Sequence, residues 1–152
     1  PHFTLLHLLI VGIIGIAKAD INEILGQRTL KSFRGSYLAA DIWGNVILKN
    51  VTPSTWEQWF ILDYPVNSGK VVLKSNRGIF TNQYLRAKDN NLVSLVENVD
   101  TSEMWTPSKN EDGSWSFKSY REKWLGAREG ESDQVIQHNE CGTWEHWYLE
   151  AW

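Results

Sequence analysis

The sequence predicts an all-β fold built from three copies of one four-stranded unit, and three observations predict it. The frame Thr-x-Glu-x-Trp occurs at Thr55 to Trp59, Thr101 to Trp105 and Thr143 to Trp147, spaced by 46 and then 42 residues. Two further frames keep step with it in the same order. One is an apolar residue followed by Lys-Ser, at Leu30, Leu73 and Phe117; the other is aromatic-Leu-x-Ala, at Tyr37 to Ala40, Tyr84 to Ala87 and Trp124 to Ala127. After residue 28 no stretch holds an apolar period near 3.6, while short β-branched and aromatic runs alternate with Gly, Asn and Asp turns. A period of about 20–50 residues marks a repeat architecture.

The chain opens on an apolar run, Leu5 to Ile16, followed by Ala17-Lys18-Ala19 and a polar stretch from Asp20. A short apolar core ending in Ala-x-Ala has the form of a secretory signal peptide, which is expected over residues 1–19. The run falls short of the roughly 20 residues a bilayer span needs, and its single polar residue, His7, does not recur at helical spacing as a buried amphipathic helix would require. The chain starts at Pro1, with no Met and no Lys or Arg before the run, which fits a start upstream of this sequence. Removing the leader leaves residues 20–152 as one domain and moves the formal charge from −3 to −4. That mild acidity argues against nucleic acid and anionic membrane as partners, since both attract basic surfaces.

Asp20 to Arg28 reads as a polar lead-in with one helical turn. From Thr29 the strands begin. In the first repeat they are expected at Leu30-Lys31-Ser32, Tyr37 to Ala40, Val46 to Lys49 and Trp59 to Leu62, and the other two repeats supply matching runs. The repeats span approximately 29–69, 70–113 and 114–152. Turns at Trp43-Gly44-Asn45, Asn67-Ser68-Gly69, Asp89-Asn90-Asn91, Glu111-Asp112-Gly113 and Glu129-Gly130-Glu131 offer residues that tolerate positive φ. Units of roughly 40 residues cannot each bury an apolar face alone and must share one core. Three propeller blades fall below the usual minimum of about four. The expected architecture is therefore a β-trefoil, twelve strands forming a six-stranded barrel capped by three hairpins.

The repeated residues divide into core and scaffold. Leu38, Leu85 and Leu125 are expected to point inward with Val46, Val93 and Val135, while Trp59, Trp105 and Trp147 fill the wider layer. Ala40, Ala87 and Ala127 stay small where three copies crowd the axis. Glu57, Glu103 and Glu145 travel with the core Trp residues, so each is expected to accept backbone N–H groups of its own loop. Three carboxylates in threefold relation also resemble a metal or acid–base set. No base or nucleophile repeats beside them, and the position of His146 is held by Gln58 and Met104 in the other copies. The expectation is no catalysis, no metal and no cofactor. Cys141, the single cysteine, is expected as a half-buried structural thiol. Asn50-Val51-Thr52 is a glycosylation sequon whose use Pro53 disfavours.

With these residues in view, the chain resembles a fascin-type β-trefoil. The resemblance rests on Gly35-Ser36-Tyr37-Leu38-Ala39-Ala40, Val46 and Ser54-Thr55-Trp56-Glu57-Gln58-Trp59, with Trp124 to Ala127 and Thr143 to Trp147 fitting equally well. The second copy departs, since Glu103-Met104-Trp105 lacks the preceding Trp. The match covers Thr29 to Trp152 and speaks for the fold, because its motifs are core and turn residues. Fascins bundle actin in the cytosol with four trefoils; one trefoil behind a leader does not imply that activity. A looser similarity links the three Glu-x-Trp elements to the Gln-x-Trp elements of ricin-type lectins, which implies glycan binding as a possible use of the fold.

Two functions of different class follow. One is a secreted carbohydrate-recognising module. The other is a secreted structural, matrix or protein-binding trefoil that self-associates, or a divergent actin-crosslinking-like protein. The ligand residues expected for the first are in the hairpin tip Asp41-Ile42-Trp43-Gly44-Asn45, where only this copy carries an aromatic residue. Trp43 offers an apolar face to a sugar ring, with Asp41 and Asn45 as hydrogen-bonding support. The alternative has Trp43 folding back to close the barrel end. The leader carries its own prediction: protein from a secreting host begins at Asp20, read by intact mass, and a mass retaining the apolar run contradicts it.

Overall fold

The computed structural model describes residues 20–77, 82–128 and 133–152. The leader expected over residues 1–19 lies outside the described residues, as does the turn at Glu129-Gly130-Glu131. Each repeat delivers four strands: β1 (Gly26–Lys31), β2 (Tyr37–Ala40), β3 (Val46–Lys49) and β4 (Trp59–Asp63); β5 (Val71–Ser75), β6 (Tyr84–Ala87), β7 (Val93–Val96) and β8 (Thr106–Lys109); β9 (Trp115–Lys118), β10 (Trp124–Ala127), β11 (Val135–His138) and β12 (Tyr148–Ala151). The lead-in forms a single 3-10 turn, Ile21–Glu23, whose Asn22 N–H is accepted by the Asp20 carboxylate at 2.9 Å. Several boundaries differ from expectation: β1 ends at Lys31 rather than Ser32, β4 runs on to Asp63, and Trp105 and Trp147 stand as bridge residues just ahead of β8 and β12. β1 begins at Gly26 rather than Thr29, because Gly26 to Arg28 pair with Ile61 to Trp59.

Six strands close a barrel. β1 pairs with β4 and β12, β4 with β5, and β8 with β9. The ring is completed by two bridges, where Val71 and Trp105 exchange bonds of 2.8 Å and Trp115 and Trp147 do the same. The hairpins β2–β3, β6–β7 and β10–β11 cover one end. This is the β-trefoil, and Leu30, Leu73 and Phe117 supply fully buried side chains from equivalent barrel strands.

The core follows the alternation of the strands. Leu38, Leu85 and Leu125 are fully buried, and Ala40, Ala87 and Ala127 pack at the same layer of the three hairpins. Trp59, Trp105 and Trp147 are wholly enclosed. An indole N–H in such a place needs a partner, and each finds the carbonyl of its own repeat's inward leucine: Leu38 at 2.9 Å, Leu85 at 3.1 Å and Leu125 at 3.0 Å. The Trp preceding the glutamate serves another purpose. Trp144 meets the Phe33 ring edge-on at 5.6 Å and carries Arg34 over its face, so it seals a repeat boundary.

Truncating Trp147 to Ala is expected to cost about 3–5 kcal/mol, the range for a large aromatic removed from a core. Trp147→Phe is expected to cost about 1–3 kcal/mol, much of it from the orphaned Leu125 carbonyl. Urea denaturation of both variants checks the order; equal losses contradict a role for the indole hydrogen bond.

Candidate functional site

The first hairpin tip is rigidly built. Asp41 N–H donates to the Asn45 carbonyl at 2.9 Å, and Gly44 N–H to the Asp41 carbonyl at 3.2 Å. The Asp41 carboxylate turns inward, where its Oδ1 accepts the N–H groups of Trp43 at 2.9 Å and Asn45 at 2.8 Å. Gly44 holds φ at 82°, the left-handed conformation that closes the reversal. From the second repeat, Arg77 braces the tip by donating to the Ile42 carbonyl at 2.6 Å.

That geometry separates the three expected ligand residues. Trp43 is 81 % exposed, so it does not fold back over the barrel end. Beside it Ile42 is 59 % exposed. Asn45 is also exposed, whereas Asp41 is only 6 % exposed. Asp41 shapes the loop that presents Trp43, because its Oδ1 accepts two backbone N–H groups inside the turn.

The β2–β3, β6–β7 and β10–β11 hairpins border a depression of about 590 Å³ at the capped end of the barrel. Its polar lining is Asn45, Lys88, Asn90, Asn91, Arg128 and Gln134; its apolar floor includes Val46, Ile47, Leu92, Val93, Val135 and Ile136. Gly44 and Asn45 belong to this lining, which sets Trp43 next to its edge. The tips are locked to one another. Leu48 N–H reaches the Asp133 carbonyl at 2.8 Å, and Gln137 N–H the Asn91 carbonyl at 2.8 Å. The Gln137 side chain is buried where the other repeats carry Leu48 and Leu95. Its amide donates to the carbonyls of Lys88 at 3.0 Å and Leu92 at 2.7 Å, while its oxygen accepts the Ser119 hydroxyl at 2.8 Å. Asn90 and Asn91, both at positive φ, are thereby held in place.

The glutamates occupy a different level. Glu57, Glu103 and Glu145 close 3-10 turns at Thr55–Glu57, Thr101–Glu103 and Thr143–Glu145. Each carboxylate reaches back to the backbone N–H three residues earlier: Ser54 at 3.0 Å, Asp100 at 2.8 Å and Gly142 at 2.8 Å. All three are buried. Burial pushes the Glu103 carboxyl above its ordinary 4.5, against the downward pull of the Asp100 N–H and the Arg86 charge. Cys141 corrects an expectation: the residue is exposed rather than half-buried. Its thiol donates to Ser116 at 3.2 Å, and desolvation of the sulfur holds its pKa above 9.0. Asn50 is exposed. Among the described residues no three His, Cys, Asp or Glu side chains converge to hold a metal ion.

Sequence reasoning missed His138, whose Nδ1 lies 2.6 Å from Glu145 Oε2, and Gln137. Gln137 carried a signal, standing where the other repeats have Leu48 and Leu95; His138 carried none, because Lys49 and Val96 at its position already differ from each other.

No family model matches the sequence. No curated protein matches it. Solved structures do match in fold. SeviL, solved bound to asialo-GM1 saccharide, aligns with TM-score 0.70 at 10 % identity, over 84 % of this chain and 98 % of SeviL. The designed threefold-symmetric protein ThreeFoil aligns with TM-score 0.69 at 18 % identity, over 82 % of this chain and 97 % of ThreeFoil. Both likenesses establish the trefoil fold.

The Glu103 carboxyl gives a signed prediction. Because its folded pKa is raised, its ionisation opposes folding above 4.5, and that opposition is relieved as pH falls toward the raised value. Glu103→Gln, which mimics the neutral acid, is expected to leave stability at pH 7 unchanged or higher and to remove this relief on acidification. Urea melts at pH 7 and pH 5 measure it; a large loss at pH 7 contradicts the assignment.

Proposed function

We propose that this chain is a non-enzymatic, extracellular glycan-binding trefoil of fascin-like sequence that recognises saccharide at the hairpin-capped end. The observation that carries the reading is the 81 % exposure of Trp43 on a turn held by the N–H groups of Asp41, Trp43, Gly44 and Asn45. A flat indole held out from a rigid loop loses little entropy when a ligand covers it. A sugar ring presents one face of C–H groups, which packs on the indole, and a rim of hydroxyls, which needs donors and acceptors. The neighbouring depression supplies those through Asn45 and Asn90. The glycan-bound state of SeviL, a trefoil of the same architecture, supports this use of the fold.

A glycan array probed with residues 20–152 and with Trp43→Ala tests the reading. Truncating a central aromatic contact typically costs about 2 kcal/mol, roughly thirtyfold in affinity. The variant is expected to lose binding by that order while its thermal midpoint stays near the parent's, since the side chain contributes little to the core. Sedimentation beside the array separates this from self-association. Concentration-dependent assembly that sugar does not affect, with no glycan bound, contradicts it.

A further inference from the structure

We propose that the depression at the capped end selects an acidic saccharide, one bearing a carboxylate or a sulfate ester, through Lys88 and Arg128. The inference rests on the glycan-binding reading and adds the charge of its ligand. Asp41, Lys88 and Arg128 hold the same place in the three repeats, directly after the Ala that ends β2, β6 and β10. Each closes its own hairpin tip with its backbone N–H, onto the carbonyls of Asn45 at 2.9 Å, Leu92 at 2.8 Å and Gln134 at 2.9 Å. The threefold arrangement brings these residues around one axis, and two of them, Lys88 and Arg128, line the depression. Asp41 is buried, and its Oδ1 is occupied by the N–H groups of Trp43 and Asn45. Lys88 and Arg128 are exposed.

Their charge has no counter-charge beside it. Among the described residues the Lys88 ammonium has no hydrogen-bond or ion-pair partner, and the Arg128 guanidinium holds only the neutral amide oxygen of Gln134, at 2.6 Å. Neighbouring cations also end on neutral oxygens, Arg77 on the Ile42 carbonyl and Lys123 on the Asn91 side chain. The nearby carboxylates are engaged elsewhere, Asp89 with Arg121 at 2.6 Å and Glu122 with Lys118 at 3.5 Å. Asp133, in the third tip, is exposed and does not line the depression. A cleft lined by one sign of charge over an apolar floor focuses its field on whatever enters. An anionic substituent there gains charge-assisted hydrogen bonds from an ammonium and a guanidinium, which a hydroxyl does not. At about 590 Å³ the depression lies within the range of about 300–1,000 Å³ for small-molecule sites. Trp43 takes a ring face at the edge, and the two cations take the acid.

The test probes the full chain with matched glycan triplets, each a neutral oligosaccharide, the same with a terminal sialic or uronic acid, and the same with a sulfate ester. Every member that binds is then titrated. Tighter binding of either charged member supports the proposal, and which of the two it is tells carboxylate from sulfate. Equal or tighter binding of the neutral member overturns it and leaves the glycan reading standing. Binding to no member of any triplet overturns both. Lys88→Gln with Arg128→Gln is expected to lower the ratio of charged to neutral affinity roughly tenfold, the weight of one charge-assisted hydrogen bond. Lys88→Gln alone serves if the pair misfolds, with a fall in the same direction. Lys70→Gln with Lys109→Gln removes two charges at the other end of the barrel, beside the turns joining β4 to β5 and β8 to β9. That pair is expected to leave the ratio as in the parent. A ratio that survives the first pair in a folded protein, or falls equally with the second, overturns the proposal.

Discussion

The indole hydrogen bond of each core Trp is the constraint on which the rest of the structure depends. Trp59, Trp105 and Trp147 enter the barrel at the start of each fourth strand, and their N–H groups end on Leu38, Leu85 and Leu125 in the capping hairpins. A buried donor left unpaired costs about 1–3 kcal/mol, so barrel and cap cannot slide past each other without breaking a bond in every repeat. The glutamate two residues earlier sets the entry angle by tying its own loop. Trp and Glu therefore act together, one fixing depth and the other direction.

With the scaffold held this way three times, the hairpin tips are free to differ. The first is apolar and aromatic at Ile42 and Trp43, and the second is polar at Asp89, Asn90 and Asn91. The third repeat departs elsewhere, at Gly126, Gln137 and His138. Gln137 is the instructive departure, since a buried amide in a leucine position is stabilising only when all its bonds are made. It makes three, and two of them grip the backbone of the second hairpin. The threefold pattern holds the fold, and these positions differ from repeat to repeat.

The same division decides what the sequence made legible. Core leucines and tryptophans recur at fixed spacing, so the trefoil and all twelve strands can be read from them, while strand ends such as the early start of β1 at Gly26 escape. Trp43 was legible as the single aromatic residue among the tips. The inward turn of Asp41 was not, because a carboxylate beside a turn reads the same whether it faces solvent or its own backbone. The His138–Glu145 pair lay further out of reach. It requires the register of β10 against β11, the path of the next loop, and the absence at Gly126 of a Cβ that would meet Glu145 Oε2 at 2.6 Å, none of which a periodicity records.

The most direct test of this account replaces the first tip with the second. Residues 41–45 and 88–92 are equal in length and close the same way, Asp41 N–H to Asn45 at 2.9 Å and Lys88 N–H to Leu92 at 2.8 Å. Grafting Lys-Asp-Asn-Asn-Leu into positions 41–45 and measuring thermal unfolding together with glycan-array binding separates scaffold from recognition. The account predicts a midpoint near the parent's and loss of the binding that Trp43 confers. A graft that melts near the parent and binds the same glycans as well as the parent contradicts it.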